Sequence, residues 1–123
     1  MKKILIVDDE PDAVEFLKNR LKKNNFDVIC AADGKEGFSK TLTEKPDLIL
    51  LDLIMPNRDG FTMLQELKAN KSTKEIPVIV VSVKSEIDNI YKSQEYDGVD
   101  YIIKPCDFQM ILKYIKRYIK KYI

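Results

Sequence analysis

The chain has 123 residues, enough for one compact domain with its own core and too few for two ordinary ones. Hydrophobic residues make up 45% of it, which sets disorder aside, and no apolar run approaches the ~20 residues of a membrane span. The net charge of +1, from 21 basic and 20 acidic residues, argues against bulk nucleic-acid binding, and the lack of histidine removes the usual parts of zinc sites and catalytic triads.

Met1-Lys2-Lys3 ahead of Ile4–Val7 has the outline of a signal peptide, but Asp8, Asp9 and Glu10 interrupt it before any cleavage site. Cys30 and Cys106 have no metal-ligand spacing, and a reducing cytoplasm is the expected compartment. Ile4–Val7 reads as a strand buried on both faces. Pro11 suits a first helical turn, with Ala13, Val14, Leu17 and Leu21 at helical spacing behind it. Val28–Ala31 is a second strand, and Asp33-Gly34 a turn before a helix that carries Gly37, Phe38 and Leu42 and closes at Pro46. Leu48–Leu51 is the most apolar strand and is placed at the centre. A loop through Pro56 and Gly60 leads to a helix with Phe61, Leu64 and Leu67 inward. Val78–Val81 is the fourth strand, Ile87, Ile90 and Tyr91 mark a short helix, and Tyr101–Ile103 is the fifth strand. The last helix has Ile111, Ile115, Tyr118, Ile119 and Tyr122 on its apolar side and a basic set, Lys113, Lys116, Arg117, Lys120 and Lys121, beside them.

Strict alternation of strands and helices with short joins predicts an α/β fold, a parallel sheet covered on both faces. Function in such open sheets gathers at the carboxyl ends of the strands. Strand one ends in Asp8-Asp9, strand three in Asp52, strand four in Ser82 and strand five in Lys104. Clustered carboxylates repel each other and call for a cation, and oxygen ligands without His or Cys select a hard ion, Mg²⁺. Asp8 and Asp9 equally fit a plain helix-capping role. Asp52 sits among apolar neighbours, where a carboxylate is expensive unless paired. Faced with Mg²⁺ and Lys104, it is a candidate nucleophile toward a phosphoryl donor. Ser82 is either an ordinary polar strand end or a donor to the added phosphoryl group. Pro105 permits a cis peptide that would aim Lys104 inward.

Four motifs in this order, Ile6-Val7-Asp8-Asp9-Glu10, Leu51-Asp52-Leu53-Ile54-Met55-Pro56 with Asp59-Gly60, Val81-Ser82, and Tyr101-Ile102-Ile103-Lys104-Pro105, resemble the receiver domains of response regulators, including the single-domain chemotaxis regulators. The resemblance covers almost the whole chain and implies one receiver domain over 1–123, with a flavodoxin-like sheet of order 2-1-3-4-5. It implies that Asp52 is the phosphoacceptor and that Asp9, Asp52 and the Ile54 carbonyl bind Mg²⁺, with Asp8 helping through the metal's waters. It implies phosphoryl contacts from Ser82 and Lys104, and an aromatic switch at Tyr101. The implied partners are a histidine kinase or phosphotransfer protein, and a homodimer or output domain for the switched face; neither nucleic acid nor membrane is expected. The chain departs from the pattern at Val83, where a small residue is usual, at Cys106, where Phe is common, and at Asp97-Gly98-Val99, where Gly98 still fits a helix C-terminal cap. A degenerate, unphosphorylated receiver would have lost an acid, Ser82 or Lys104. A phosphohydrolase would need a second acid at Ile54. A flavin carrier would not place Asp8-Asp9-Glu10 where a phosphate cradle belongs.

Overall fold

β-Branched and leucine-rich runs stopped by charged or turn residues alternate with helical apolar stripes, and each run becomes the element its period dictates. The computed structural model describes residues 1–53, 59–93 and 96–119, apart from the side chains at 59 and 90–93. Its elements are β1 (Lys3–Val7), α1 (Pro11–Lys23), β2 (Asp27–Ala31), α2 (Gly34–Glu44), β3 (Leu48–Leu51), α3 (Asp59–Ala69), β4 (Val78–Ser82), α4 (Lys84–Ser93), β5 (Val99–Ile103) and α5 (Phe108–Tyr118). The five strands are parallel in the order β2-β1-β3-β4-β5, the order implied by the resemblance. The expected central strand, Leu48–Leu51, lies in the middle with all four residues buried.

Strand alternation divides the interior in two. Ile4, Ile6, Leu48, Leu50, Ile79, Val81 and Ile102 face Leu21 of α1 and Ile111, Leu112 and Ile115 of α5. Leu5, Val7, Ile49, Leu51, Val78 and Val80 face Met63, Leu64 and Leu67 of α3. Both faces of β1, β3 and β4 are thus removed from water, which is why these strands read as continuous apolar runs. On α2 the inward line is Gly34, Gly37 and Thr41, not Leu42, which is 41% exposed. Small residues let that helix close on the sheet, and the buried Thr41 hydroxyl is satisfied by donating to the Gly37 carbonyl at 2.7 Å.

Helix ends follow local chemistry. Asp33 caps α2 by accepting from the Glu36 N–H, and Asp107 caps α5 by accepting from the Met110 N–H. Lys45 ends α2 in the left-handed conformation, φ 49°, immediately before Pro46. Gly98 is also left-handed, φ 73°, in the turn that enters β5 rather than at the last residue of α4. Both cysteines are free and half-buried, and burial pushes each thiol up. Part of the basic set on the last helix has a structural partner. The Tyr118 hydroxyl donates to the Asp100 carboxylate at 2.7 Å, and burial with that bond pushes the phenol up to about 12. Arg117 lies 3.7 Å from the same carboxylate and over the Tyr114 ring. Side chains of Ile90 and Tyr91, and residues Lys120, Lys121 and Tyr122, lie outside the described residues. Among the described residues no helix is long and apolar enough to cross a membrane.

Candidate functional site

Parallel strands put all their carboxyl ends on one edge, and the register fixes which neighbours meet there. Val7 pairs with Leu51, so Asp8 follows directly beside Asp52, and the Asp52 N–H donates to the Val7 carbonyl at 3.0 Å. Ser82 pairs with Ile103, and the Lys104 N–H donates to the Ser82 carbonyl at 2.8 Å. The chain leaves β1 toward β2 on one side, while β3 lies on the other, so the cluster sits where the strand order reverses.

The Asp52 side chain is only 10% exposed, and its Oδ2 accepts from Lys104 Nζ at 2.9 Å. Burial acts to lower the Lys104 ammonium, but the bond to Asp52 and the charges of Asp52 and Asp8 outweigh it and hold the lysine above its ordinary value. The Lys104–Pro105 peptide is cis. Ser82 is fully buried, and its hydroxyl oxygen finds no hydrogen-bond partner among the described residues. Tyr101 is half-buried against the core on the α3 side of the sheet. Asp8 is half-buried and Asp9 exposed. Neither is the cap of α1: that position is Glu10, which makes no side-chain cap bond, while Asp8 Oδ1 accepts from the Glu10 N–H at 3.0 Å.

Asp8, Asp52, Ser82 and Lys104 therefore share one edge, with Asp9 at its outer side, whereas the Ile54 carbonyl lies outside the described residues. Among the described residues no three acidic or cysteine side chains close into a metal cage. Mg²⁺ asks for less: one or two carboxylates, with waters completing its shell. Asp52, Asp8, close enough to feel its charge, and the exposed Asp9 next to it fit that requirement.

Gly60 stands in one of the motifs, and Val83 and Cys106 among the departures from the pattern, but what they touch was not legible in the sequence. Gly60, the second residue of α3, stands so close to the phosphoacceptor candidate's backbone that a Cβ there would meet Leu53 Cα at 2.7 Å and the Asp52 carbonyl at 2.8 Å; a side chain at this point must push the end of β3. Phe16, Val83 and Cys106 line a cleft that also contains Asp8, Asp52 and Lys104. Phe16 alone of these went unmarked: it falls beside the Val14–Leu17–Leu21 stripe, and an aromatic residue off the apolar stripe is the hint that could have found it.

The family described as response regulator receiver domain matches residues 4–116. The chain is 36% identical over 121 residues to the response regulator ArlR of Staphylococcus saprophyticus, covering 98% of this chain and 54% of that protein. It spans about half the length of the curated relatives it matches. Among solved structures, the signal receiver domain of a signal transduction histidine kinase from Syntrophus aciditrophicus gives a TM-score of 0.86 at 31% identity, covering 99% of this chain and 92% of that one. The response regulator TrrA of Thermotoga maritima, determined in complex with Mg²⁺ and BeF, gives 0.83 at 29% identity, covering 97% of this chain and 100% of that one.

The charge balance at this edge has a measurable sign. Burial pushes the Asp8 carboxyl above the usual aspartate range, and the Asp52 charge adds to this, while the Glu10 N–H opposes it without cancelling it. An acid raised by folding destabilises the fold above its folded value and ceases to do so below its ordinary value, 3.8. Asp8→Asn, which keeps the acceptor for Glu10, should therefore raise stability at neutral pH in metal-free buffer. The gain should shrink as pH falls through the raised value toward 3.8. Urea unfolding at both ends of that window checks it; a variant no more stable at neutral pH contradicts the account.

Proposed function

The chain belongs to the response regulator receiver domain family, whose members are phosphoacceptor switches of two-component signalling rather than catalytic enzymes, and we propose that Asp52 is its phosphoacceptor. The observation that carries this reading is the ion pair between the nearly buried Asp52 carboxylate and Lys104, 2.9 Å apart and delivered by different strands. Receiver domains work with histidine kinases or phosphotransfer proteins, and such a donor would present its phosphoryl group to the exposed side of this pair. An Asp52 oxygen attacks phosphorus, the bond from phosphorus to the donor breaks, and an aspartyl phosphate forms. Lys104 neutralises charge on the phosphoryl oxygens as they gather there. Asp9 and Asp52, with the Ile54 carbonyl, would hold Mg²⁺, and Asp8 would act through its waters. When bound, that ion supplies further charge neutralisation and in-line orientation. The TrrA relative, seen with Mg²⁺ and BeF, supports this ion in the reading.

Ser82 and Tyr101 form the proposed switch. The Ser82 hydroxyl, buried and without a partner among the described residues, would turn to the phosphoryl group, and Tyr101 would move into the vacated space. The face built from α4, β5 and α5 would then repack for an output partner or a second copy. Such a switch needs two packings of similar energy, one favoured by the phosphoryl contacts.

Incubated with a small phosphodonor and Mg²⁺, the domain should gain one phosphoryl mass, labile to hydroxylamine, and Asp52→Asn should gain none; labelling that survives in this variant would move the acceptor elsewhere. Mg²⁺ at ten times its dissociation constant should stabilise the fold by about 1.4 kcal/mol, seen as a higher melting temperature. Asp9→Ala should lose most of that increment, and an undiminished response would place the ion at another site. Tyr101→Ala should label normally yet lose phosphorylation-dependent association in sedimentation; association at the wild-type level would remove Tyr101 from the switch.

A further inference from the structure

The Asp52–Lys104 pair opens into a cleft of about 490 Å³, larger than a phosphoryl group needs. Among the described residues its only charged lining residues are Asp8, Asp52 and Lys104, which stand together. The remaining walls, among them Phe16 and Leu17 of α1, Val83, Cys106 and Phe108, carry none. Phe16 leaves more than half of its surface in water, 55%, although it lines this cleft, and the Arg20 guanidinium lies 5.0 Å over its ring. A cleft with Lys104 beside its two carboxylates, apolar walls and an aromatic rim under Arg20 matches a small anion that arrives with a cation and carries an apolar tail.

Resting on the assignment of Asp52 as phosphoacceptor, we propose that this cleft receives the acyl group of small-molecule acyl phosphates, and that the domain prefers donors with acyl chains longer than acetyl. The phosphoryl end lies against Lys104 and the chain lies along Val83, Cys106 and Phe16. An Asp52 carboxylate oxygen forms the new bond to phosphorus. The bond from phosphorus to the bridging acyl oxygen breaks, and its electron pair leaves with the carboxylate product. No proton and no redox partner is required. Val83, which stands where the family generally has a smaller side chain, forms one wall of this binding surface. The acyl chain gains binding only if it stays in the cleft through the transition state, in which case the gain appears in the rate at low donor concentration. A fully buried methylene is worth roughly three- to fourfold. Two extra methylenes in a half-open cleft should give about fivefold.

The test compares second-order rate constants of Asp52 labelling, read by intact mass with Mg²⁺ present, for acetyl phosphate, butyryl phosphate and phosphoramidate. Butyrate and acetate are leaving groups of nearly equal basicity, so their ratio reports binding of the chain. The wild type should favour butyryl over acetyl phosphate by about fivefold. Phe16→Ala, a change at an exposed site, should bring the ratio close to one while leaving the phosphoramidate rate unchanged. Phe16→Leu should restore part of the preference. A wild-type ratio near one overturns the proposal, as does a preference that survives in Phe16→Ala. Absence of labelling by all three donors would instead strike the assignment of Asp52 itself, and this inference with it.

Discussion

A carboxylate at the end of the most buried strand must be answered by a cation, because an unpaired charge there is worth several kcal/mol of destabilisation. Asp52 is that carboxylate, and Lys104, 52 residues later in the chain, is the cation that meets it. The pairing depends on the whole sheet. β3 must be central for Asp52 to be shielded, and β5 must lie only one strand away, across β4, for Lys104 to reach it. A parallel arrangement alone sends every strand end to that edge. The fold thus brings into contact two groups whose mutual need is greatest when water is scarce.

The same edge holds more negative charge than one lysine offsets. Asp8 is half-buried beside Asp52 and is held above its usual range by burial first and by its neighbour second. Such strain is what a site gives up in stability to be ready for a ligand. An edge built from oxygen donors and short of positive charge favours a hard cation. Ser82 adds a buried hydroxyl with no partner among the described residues, a second demand that a phosphoryl oxygen can meet.

Close packing carries the site as much as charge does. Gly60 lets the first turn of α3 lie against the backbone of Asp52 and Leu53, and Gly34, Gly37 and Thr41 let α2 close on the sheet. On the opposite side, the Asp100–Tyr118 hydrogen bond with Arg117 beside it ties β5 to the end of α5.

The sequence by itself determined the alternating elements, because buried parallel strands must be apolar throughout and helices must show a 3.6-residue stripe. Leu48–Leu51 stood out as central for that reason, and the residues closing each strand named Asp8, Asp9, Asp52, Ser82 and Lys104 before any contact was known. What it could not decide was anything that depends on distance between remote segments. Leu42 had the composition of a core residue, yet the helix turned Thr41 inward, since the tight approach of α2 selects small side chains over large ones. Asp8 and Asp9 read alike as a pair, but only Asp8 is drawn into the half-buried edge. Gly60 was a turn residue by composition, and its closeness to the Asp52 carbonyl exists only once α3 is docked. The cleft past Phe16, Val83 and Cys106 is assembled from five separate stretches of chain, so no local pattern could announce it; only the tertiary structure set an apolar wall beside the Asp52–Lys104 pair.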